Sequence, residues 1–365
     1  MREYSQEKVD EAINEMLKGS KIPNVLICGQ TGTGKSSAVN FLFKEKIAGV
    51  GDGEPCTRDI HLYKSENVNI YDSEGYEIGG EKQAHYEKMI FDEFLSTKKK
   101  LNDEDAVHLI WYAISGAGTR FTDLDIKLIK RMKTERFHVC VLLTKIDEMD
   151  ENQLETMLLE LKKELPATEI FRLSIVTNPE EVQRYCDWNK LVAWSHSKLP
   201  DIFKDRFVAG LKDGLVEKKK QAHIALGFAT AAAAAVPVSP IPFSDAVLLV
   251  PIQTGMIVKI LSIYGIKIAD SSILSLIGSV GISALGKSLA GNLIKLIPGL
   301  GSILGTVINS TVAAGITGAI GKALIEICHK QCLDMLDGKK TPFNIEEMLT
   351  SMSFMSLVKK FSEEK

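Results

Sequence analysis

The sequence lacks several features that would point to common classes of protein. Lysine and arginine number 44 against 47 aspartates and glutamates, so the net charge of -3 gives no reason to expect a nucleic-acid partner. The six cysteines are scattered without the paired spacing of a zinc site, and reduced thiols are therefore expected. The N-terminal stretch MREYSQEKVDEAINEMLKGS has no apolar run, which argues against a signal peptide. We therefore expect a cytoplasmic protein.

Charge is nearly missing from one long stretch of the chain. Only six charged residues lie between residues 222 and 321, whereas the first 221 residues hold 33 bases and 38 acids. Residues 224–244 carry no charge over 21 residues, a length that could cross a bilayer, but Pro237, Pro240 and Pro242 interrupt them. Two interpretations stay open: a bundle of Ala- and Gly-rich helices buried against each other, or an element that contacts the inner membrane.

Small residues recur every four positions near the end of this apolar stretch. Gly301 is followed by Gly305, and Ser310 is followed by Ala314 and Gly318. This spacing lets two helix backbones approach closely, in a membrane or in a tight helical hairpin.

The first 200 residues alternate between apolar, strand-like runs and helical stretches. The strand-like runs are 24–28, 59–63, 68–71, 107–114, 138–143 and 170–175, and the helical stretches are 36–43, 81–101, 122–133 and 152–165. Such alternation predicts an α/β domain with a mostly parallel sheet and helices on both faces, which binds ligands at the carboxyl ends of its strands. We expect a short helix in 1–19, this domain in 20–200, an all-α domain in 201–335 and an amphipathic tail in 336–365.

The stretch GQTGTGKS, from Gly29 to Ser36, fits the pattern G-x-x-x-x-G-K-[ST] between a predicted strand and a predicted helix. Its glycines let backbone N–H groups turn toward phosphates at the positive end of the helix. Lys35 would supply charge to the β and γ phosphates, and the Ser36 hydroxyl would ligate Mg2+. The expected nucleotide-binding residues here are Gly29, Thr31, Gly32, Thr33, Gly34, Lys35, Ser36 and Ser37.

Two further motifs follow predicted strands in the order that a nucleotide site requires. Asp72 and Gly75 follow the end of the predicted strand 68–71. There Asp72 would hold Mg2+ through a water, and the Gly75 N–H would meet the γ-phosphate. Thr144, Lys145 and Asp147 follow the strand 138–143. The Asp147 carboxylate can accept hydrogen bonds from N1 and N2 of guanine, donors that adenine lacks, and Lys145 would lie along the base.

These motifs together resemble a translation-factor-type GTPase of the Era-like and septin-like branch, over roughly residues 20–200. The resemblance implies that Thr57 is the second-motif threonine, which ligates Mg2+ and orients the attacking water, and that Ser174 meets the guanine O6. It implies GTP and GDP as ligands, with Lys35, Thr57 and Gly75 as the residues that support hydrolysis.

Two positions depart from that family pattern. Thr144 stands where the commonest form has asparagine, so we expect weaker loop bracing but intact guanine selectivity. Tyr76 stands where Ras-like proteins have a water-positioning glutamine, so intrinsic turnover should be slow. An activating group could come from Glu54, Arg58, Glu74 or Glu77, or from a second G domain in a homodimer.

Residues 220–330 resemble a second family, the bacterial domain of unknown function 697, through PVSPIPFSD at 237–245, a helix ending in Tyr264-Gly265, and LIPGLG at 296–301. The expected function is a GTP hydrolase whose nucleotide cycle rearranges the apolar helical domain. The alternatives are a slowly hydrolysing, septin-like assembly protein and a membrane-remodelling or pore element controlled by the G domain.

Overall fold

The computed structural model describes residues 20–43, 54–57, 59–77, 79–99, 104–118, 121–176, 186–212, 214–235, 244–266, 310–336, 349 and 351–363. The helix predicted in 1–19 and the pair Gly301 and Gly305 lie outside these residues. The chain divides into two compact units: one spans Lys21–Gly214, and the other contains the described residues from Leu215 onward.

The first unit is built on a seven-stranded sheet with the order β2-β3-β4-β1-β5-β6-β7. Its strands are β1 (Asn24–Gly29), β2 (Glu54–Thr57), β3 (Ile60–Tyr63), β4 (Asn69–Ser73), β5 (Leu109–Ser115), β6 (Val139–Thr144) and β7 (Ile170–Arg172). The five strands from β4 to β7 in this order pair in parallel, and β2 and β3 add an antiparallel ribbon at one edge. The predicted mostly parallel sheet is confirmed.

Helices cover both faces of the sheet. They are α1 (Lys35–Leu42), α2 (Gly80–Lys88), α3 (Asp123–Thr134), α4 (Glu151–Glu164), α5 (Trp188–Lys198) and α6 (Asp201–Gly210). Neighbouring residues of β5 show the two faces, because Trp111 packs against Phe43 and Phe207 while Tyr112 joins the core that contains side chains of α2, α3 and α4. This alternation is expected for a strand buried on both sides.

Two predicted elements have different limits in the structure. The helix predicted over 81–101 is α2, followed by a π-helical turn Met89–Phe94 and a 3-10 turn Leu95–Thr97. The wide turn brings the consecutive residues Met89, Ile90 and Phe91 into the core. The strand predicted over 170–175 ends at Arg172, beyond which the Leu173 carbonyl accepts a hydrogen bond from the Ile146 N–H in the loop after β6.

The first unit extends further than the predicted boundary at residue 200. The side chains of Phe203 and Phe207 in α6 are fully buried, and the segment after α6 pairs with the end of α1, where the Lys212 N–H donates to the Leu42 carbonyl. Helix α6 therefore belongs to the first unit, and the boundary falls after Gly214.

The described part of the second unit is helical. It contains α7 (Leu215–Ala234), α8 (Ser244–Ile263), α9 (Ser310–Leu336) and α10 (Met352–Glu363). Phe354 and Val358 of α10 are buried in the same hydrophobic core as residues of α7, α8 and α9, in agreement with the amphipathic pattern of that segment. None of the described helices is long and apolar enough to span a membrane.

In this unit an added Cβ atom would not fit at Gly321, whereas it would fit at Gly318 of the predicted spacing. A Cβ atom placed on Gly321 would lie 2.3 Å from Leu226 Cδ1 and 2.9 Å from Met256 Sδ. A Cβ atom on Gly318 would meet only Thr230 Cγ2, at an ordinary 3.6 Å. The crossing point of the helices, which the spacing of small residues does not specify, decides which glycine is needed.

Candidate functional site

The loop between β1 and α1 has the backbone that the glycine pattern predicts. Gly29, Gly32 and Gly34 all have positive φ angles, of 134°, 78° and 81°. A Cβ atom on Gly29 would lie 2.2 Å from the carbonyl oxygen of Ala113 in β5, so a side chain does not fit there. The loop ends where α1 begins at Lys35, which places the first N–H groups of that helix at the carboxyl edge of the sheet.

The Lys35 ammonium group is buried at this loop. Its Nζ donates to the carbonyl oxygens of Gly29, at 3.3 Å, and Gln30, at 3.1 Å. Burial lowers the pKa of Lys35, although the nearby Asp72 carboxylate acts in the opposite direction. A partly desolvated ammonium held by two carbonyls is suited to exchange them for phosphate oxygens.

Ser36 and Asp72 form a pair of hard oxygen ligands. The Ser36 hydroxyl donates to Asp72 Oδ2 at 2.8 Å, and Asp72 Oδ1 is buried without a hydrogen-bond partner in the described part of the chain. Burial raises the pKa of Asp72, whereas the Ser36 hydrogen bond and the charges of Lys35 and His61 lower it. A hydroxyl beside a carboxylate with an unpaired oxygen fits the donor set that Mg2+ prefers.

Gly75 lies against the phosphate loop. It has a φ of 87°, and a Cβ atom there would be 2.7 Å from Lys35 Nζ and 2.8 Å from both the Gly29 oxygen and the Thr31 nitrogen. The next residue is also attached to this loop, because the Thr31 N–H donates to the Tyr76 carbonyl at 3.0 Å. The structure thus brings the first and third motifs into direct contact.

The base-side residues stand at the same edge of the sheet. Thr144 ends β6, and its hydroxyl donates to the Thr33 carbonyl at 2.6 Å. Lys145 has a left-handed backbone with a φ of 53°, and Asp147 is exposed in the 3-10 turn Ile146–Glu148. Ser174 is buried just beyond β7, where its carbonyl accepts a 3.1 Å hydrogen bond from Trp188 Nε1.

The remaining predicted residues are either exposed or only partly described. Thr31, Gly32 and Ser37 are exposed along the loop and the first turn of α1. Thr57 is the last residue of β2, but its side chain and the whole of Arg58 lie outside the described part of the chain. The magnesium and catalytic roles of Thr57 therefore stay predictions.

Tyr76 does not present its side chain to the phosphate loop. The side chain is buried, and its hydroxyl donates to Asp125 Oδ1 in α3 at 2.7 Å and lies 2.7 Å from Thr122 Oγ1. Burial and the Asp125 charge raise the pKa of the phenol, which stays protonated at neutral pH. The phenol is therefore a hydrogen-bond donor within the core.

Among the suggested activating groups, the described ones already have partners. Glu74 Oε1 lies 3.2 Å from His61 Nε2, and Glu77 is paired with Lys82. The sequence analysis did not identify His61, although a charge on His61 lowers the pKa of Asp72. It also missed the acceptor of Tyr76, for which there was a signal: Thr122 and Asp125 have the spacing of a capping box, and the structure forms one.

Comparison with known proteins agrees with this geometry. Residues 24–145 match the family described as 50S ribosome-binding GTPase, and residues 215–352 match the domain of unknown function DUF697. The chain is similar to the "Probable GTP-binding protein EngB" of Mycoplasmopsis pulmonis, with 28% identity over 144 residues that cover 38% of this chain and 74% of that protein.

Two other relatives match over shorter segments. Magnetosome membrane protein 22 of Magnetospirillum gryphiswaldense is 36% identical over 99 residues, which cover 26% of this chain and 51% of that protein. Human Septin-12 is 27% identical over 133 residues, which cover 30% of this chain and 37% of that protein. The chain thus spans about half of the first protein and little more than a third of the second.

The predicted combination of domains is confirmed. Residues 24–145 belong to a P-loop GTPase domain that binds GTP and GDP with Mg2+, and residues 215–352 are a domain of the DUF697 family.

Proposed function

We propose that this protein hydrolyses GTP to GDP and phosphate at the carboxyl edge of its sheet. The observation that carries the proposal is the contact of Gly75 with Lys35 and the phosphate loop, because a γ-phosphate at this place would meet both the ammonium and the Gly75 N–H. In the proposed reaction, water attacks the γ-phosphate in line, and these groups stabilise charge on the phosphate oxygens.

The magnesium ligands in this proposal are Ser36, Thr57 and Asp72, the last through a water. The unpaired Asp72 Oδ1 and the neighbouring Ser36 hydroxyl support the assignment of two of them. Bound Mg2+ supplies positive charge to the β- and γ-phosphate oxygens. On the base side, Asp147 and Lys145 recognise guanine, while the Ser174 loop lies beside them.

We expect intrinsic turnover to be slow. The phenol of Tyr76 is held inside the protein by Asp125, so it does not orient the attacking water. The pair of His61 and Glu74 is one alternative among the described residues, and a group from a second G domain is another. A symmetric homodimer through the G domains would raise turnover as the protein concentration increases.

Single-turnover hydrolysis of GTP by the full chain tests the site assignment. Lys35→Ala and Thr57→Ala should each reduce the rate by about 100-fold. Lys163→Ala, which changes an exposed lysine of α4, is the matched control. Normal hydrolysis by both site variants would contradict the proposal.

We also propose that the nucleotide cycle changes the exposure of the helical unit to lipid. Helix α7 carries exposed apolar side chains, of which Phe228 is 75% exposed and Val216 64% exposed. One relative is named a magnetosome membrane protein, which supports contact with a membrane. Flotation with vesicles of anionic and neutral lipid, with GDP or a non-hydrolysable GTP analogue, should show analogue-dependent binding that Phe228→Ser weakens. Equal recovery of the protein with the floated vesicles in all nucleotide states would contradict this proposal.

A second function is supported by the septin similarity and by the buried Tyr76. In this alternative, GTP is hydrolysed very slowly and stabilises an assembly through the G domains. Light scattering of the full chain with GDP or the GTP analogue distinguishes the two functions. A stable oligomer with turnover independent of protein concentration favours the assembly, and analogue-dependent dimerisation with accelerated turnover favours the hydrolytic switch.

A further inference from the structure

Tyr76 is attached to the protein at both ends. Its backbone pairs with Gln30 in a parallel bridge, and its carbonyl accepts a hydrogen bond from the Thr31 N–H of the phosphate loop at 3.0 Å. Its hydroxyl donates to Asp125 Oδ1 of α3 at 2.7 Å. The side chain therefore spans from the phosphate loop to the first turn of α3.

The acceptor of this hydrogen bond is fixed independently of Tyr76. Asp125 Oδ2 accepts from the Thr122 N–H at 2.7 Å, and Asp125 Oδ1 also accepts from the Tyr112 hydroxyl of β5 at 2.7 Å. The carboxylate is buried and anchored to both α3 and the central sheet. It therefore offers a rigid point to which the segment after β4 is fastened.

Gly75 is the residue whose position depends most directly on Tyr76. It immediately precedes Tyr76, and its Cα lies against Lys35, Gly29 and Thr31. A glycine in a left-handed conformation has wide backbone freedom, so its N–H keeps one direction only if its neighbours are held. The double attachment of Tyr76 provides this restraint on one side.

We propose that Tyr76 is a positioning residue for GTP hydrolysis: its phenol, bound to Asp125, holds the Gly75 N–H in place at the phosphate loop. This role rests on the hydrolysis proposed above. Tyr76, which occupies the glutamine position, thus affects the γ-phosphate indirectly, through the N–H of the neighbouring Gly75. Helix α3 contributes to this positioning because it carries Asp125.

The comparison of Tyr76→Phe with Tyr112→Phe tests this role. Each variant removes a 2.7 Å hydrogen bond to the same oxygen of Asp125, and Tyr76→Phe also removes the 2.7 Å contact with Thr122 Oγ1. Tyr112 lies on β5 and, unlike Tyr76, is not bonded to Gly75 along the chain. Tyr76→Phe should lower kcat by about 10-fold or more, with KM for GTP changed by less than about 3-fold. Tyr112→Phe should keep kcat within about 2-fold, although both variants should lose thermal stability.

A third variant checks the path from Tyr76 to its acceptor. Asp125→Asn should reduce kcat as Tyr76→Phe does, and the double variant should be no slower than the more affected single variant, because both changes disturb one linkage. Equal kcat values for Tyr76→Phe and Tyr112→Phe, or additive losses in the double variant, would overturn the proposal.

Hydrogen exchange separates this proposal from the hydrolysis itself. With the non-hydrolysable GTP analogue bound to the full chain, peptides that cover residues 71–77 should exchange faster in Tyr76→Phe than in Tyr112→Phe. Absence of turnover in the wild type would refute hydrolysis, while faster exchange in Tyr76→Phe alone would still support the restraint on Gly75. Identical exchange in both variants would refute the restraint.

Discussion

The hydroxyl of Thr144 donates a 2.6 Å hydrogen bond to the carbonyl oxygen of Thr33, and so joins the base-side motif to the phosphate loop. The two residues are 111 positions apart in the sequence, and the bond is buried. The threonine that replaces the commoner asparagine therefore braces this loop directly.

Replacing Thr144 with valine should weaken binding of both GDP and GTP by about 10-fold, because the isosteric change leaves the buried Thr33 carbonyl without its donor. Thr144→Ser keeps the hydroxyl and should bind nearly as well as the wild type. Titration with a fluorescent GDP analogue measures both affinities. Weak binding by the serine variant and normal binding by the valine variant would show that the hydroxyl is not the important group.

Asp147→Asn should weaken GTP binding by about 100-fold or more and should improve binding of xanthosine triphosphate. The carboxylate offers two acceptors to the guanine N1 and N2 donors, whereas the amide presents a donor of its own, which suits the oxygen of xanthine. Competition binding with the two nucleotides measures the change. Glu148→Gln, an exposed carboxylate-to-amide change next in the chain, is the control. Unchanged GTP affinity in Asp147→Asn would move the base site elsewhere.

Trp188→Phe should weaken guanine nucleotide binding by about 3- to 10-fold. The indole N–H holds the Ser174 carbonyl at 3.1 Å, and phenylalanine keeps the stacking on Phe41, whose ring lies 4.5 Å away, but loses the N–H. Trp194→Phe, on the same helix and packed on Phe171, should bind normally. Calorimetric titration with GDP measures both variants. Equal losses would mean that helix packing, rather than the Ser174 contact, is responsible.

Asp187→Asn should destabilise the GTPase unit by about 2 kcal/mol at neutral pH. Although burial raises the pKa of Asp187, hydrogen bonds from Arg172 and Lys190 outweigh it and lower the pKa from 3.8 to about 2. Because the folded state favours the ionised form, this stabilisation is complete above about pH 5 and is lost as the pH falls toward 2. The difference in the free energy of unfolding between the variant and the wild type should therefore become smaller as the pH falls from 5 to 3.

Urea unfolding of the full chain followed by tryptophan fluorescence measures this difference, because Trp111, Trp188 and Trp194 all lie within residues 21–214. Asp201→Asn, which changes an exposed carboxylate paired with Lys204, should leave unfolding unchanged. If the difference in unfolding free energy between Asp187→Asn and the wild type stayed constant or grew at acid pH, the stabilising role of the ionised Asp187 would be contradicted.

Gly321→Ala should destabilise the helical unit by about 1–3 kcal/mol, because the added methyl group meets Leu226 and Met256. Gly315→Ala lies on the same helix with open space around it and should stabilise that helix by up to about 1 kcal/mol. Hydrogen exchange of peptides from α7 and α9 measures the two changes separately from the GTPase unit. Slower exchange in Gly321→Ala would show that the helices can move apart at no cost.

The sequence predicts the parts of this protein that depend on local pattern. Apolar runs and helical stretches predict the sheet, and the glycine spacing predicts the loop from Gly29 to Gly34. The position of Tyr76 could not be predicted in this way, because its burial depends on Asp125, 49 residues further along the chain. The importance of Gly321 depends on where the helices cross, and the domain boundary depends on how α6 packs, so neither follows from spacing alone.

The edge position of β2 has a mechanical consequence for the sheet. In the described sheet β2 pairs only with β3, and the pairing is irregular between Pro55 and Thr57. Strands β3, β4, β1, β5 and β6 are each paired on both sides, whereas β2 is attached to the sheet by one ladder. A displacement of Thr57 therefore needs to break only the few hydrogen bonds of a single ladder. The strands that precede Lys35 and Asp147, and the strand that contains Asp72, do not pair with β2 in the described sheet.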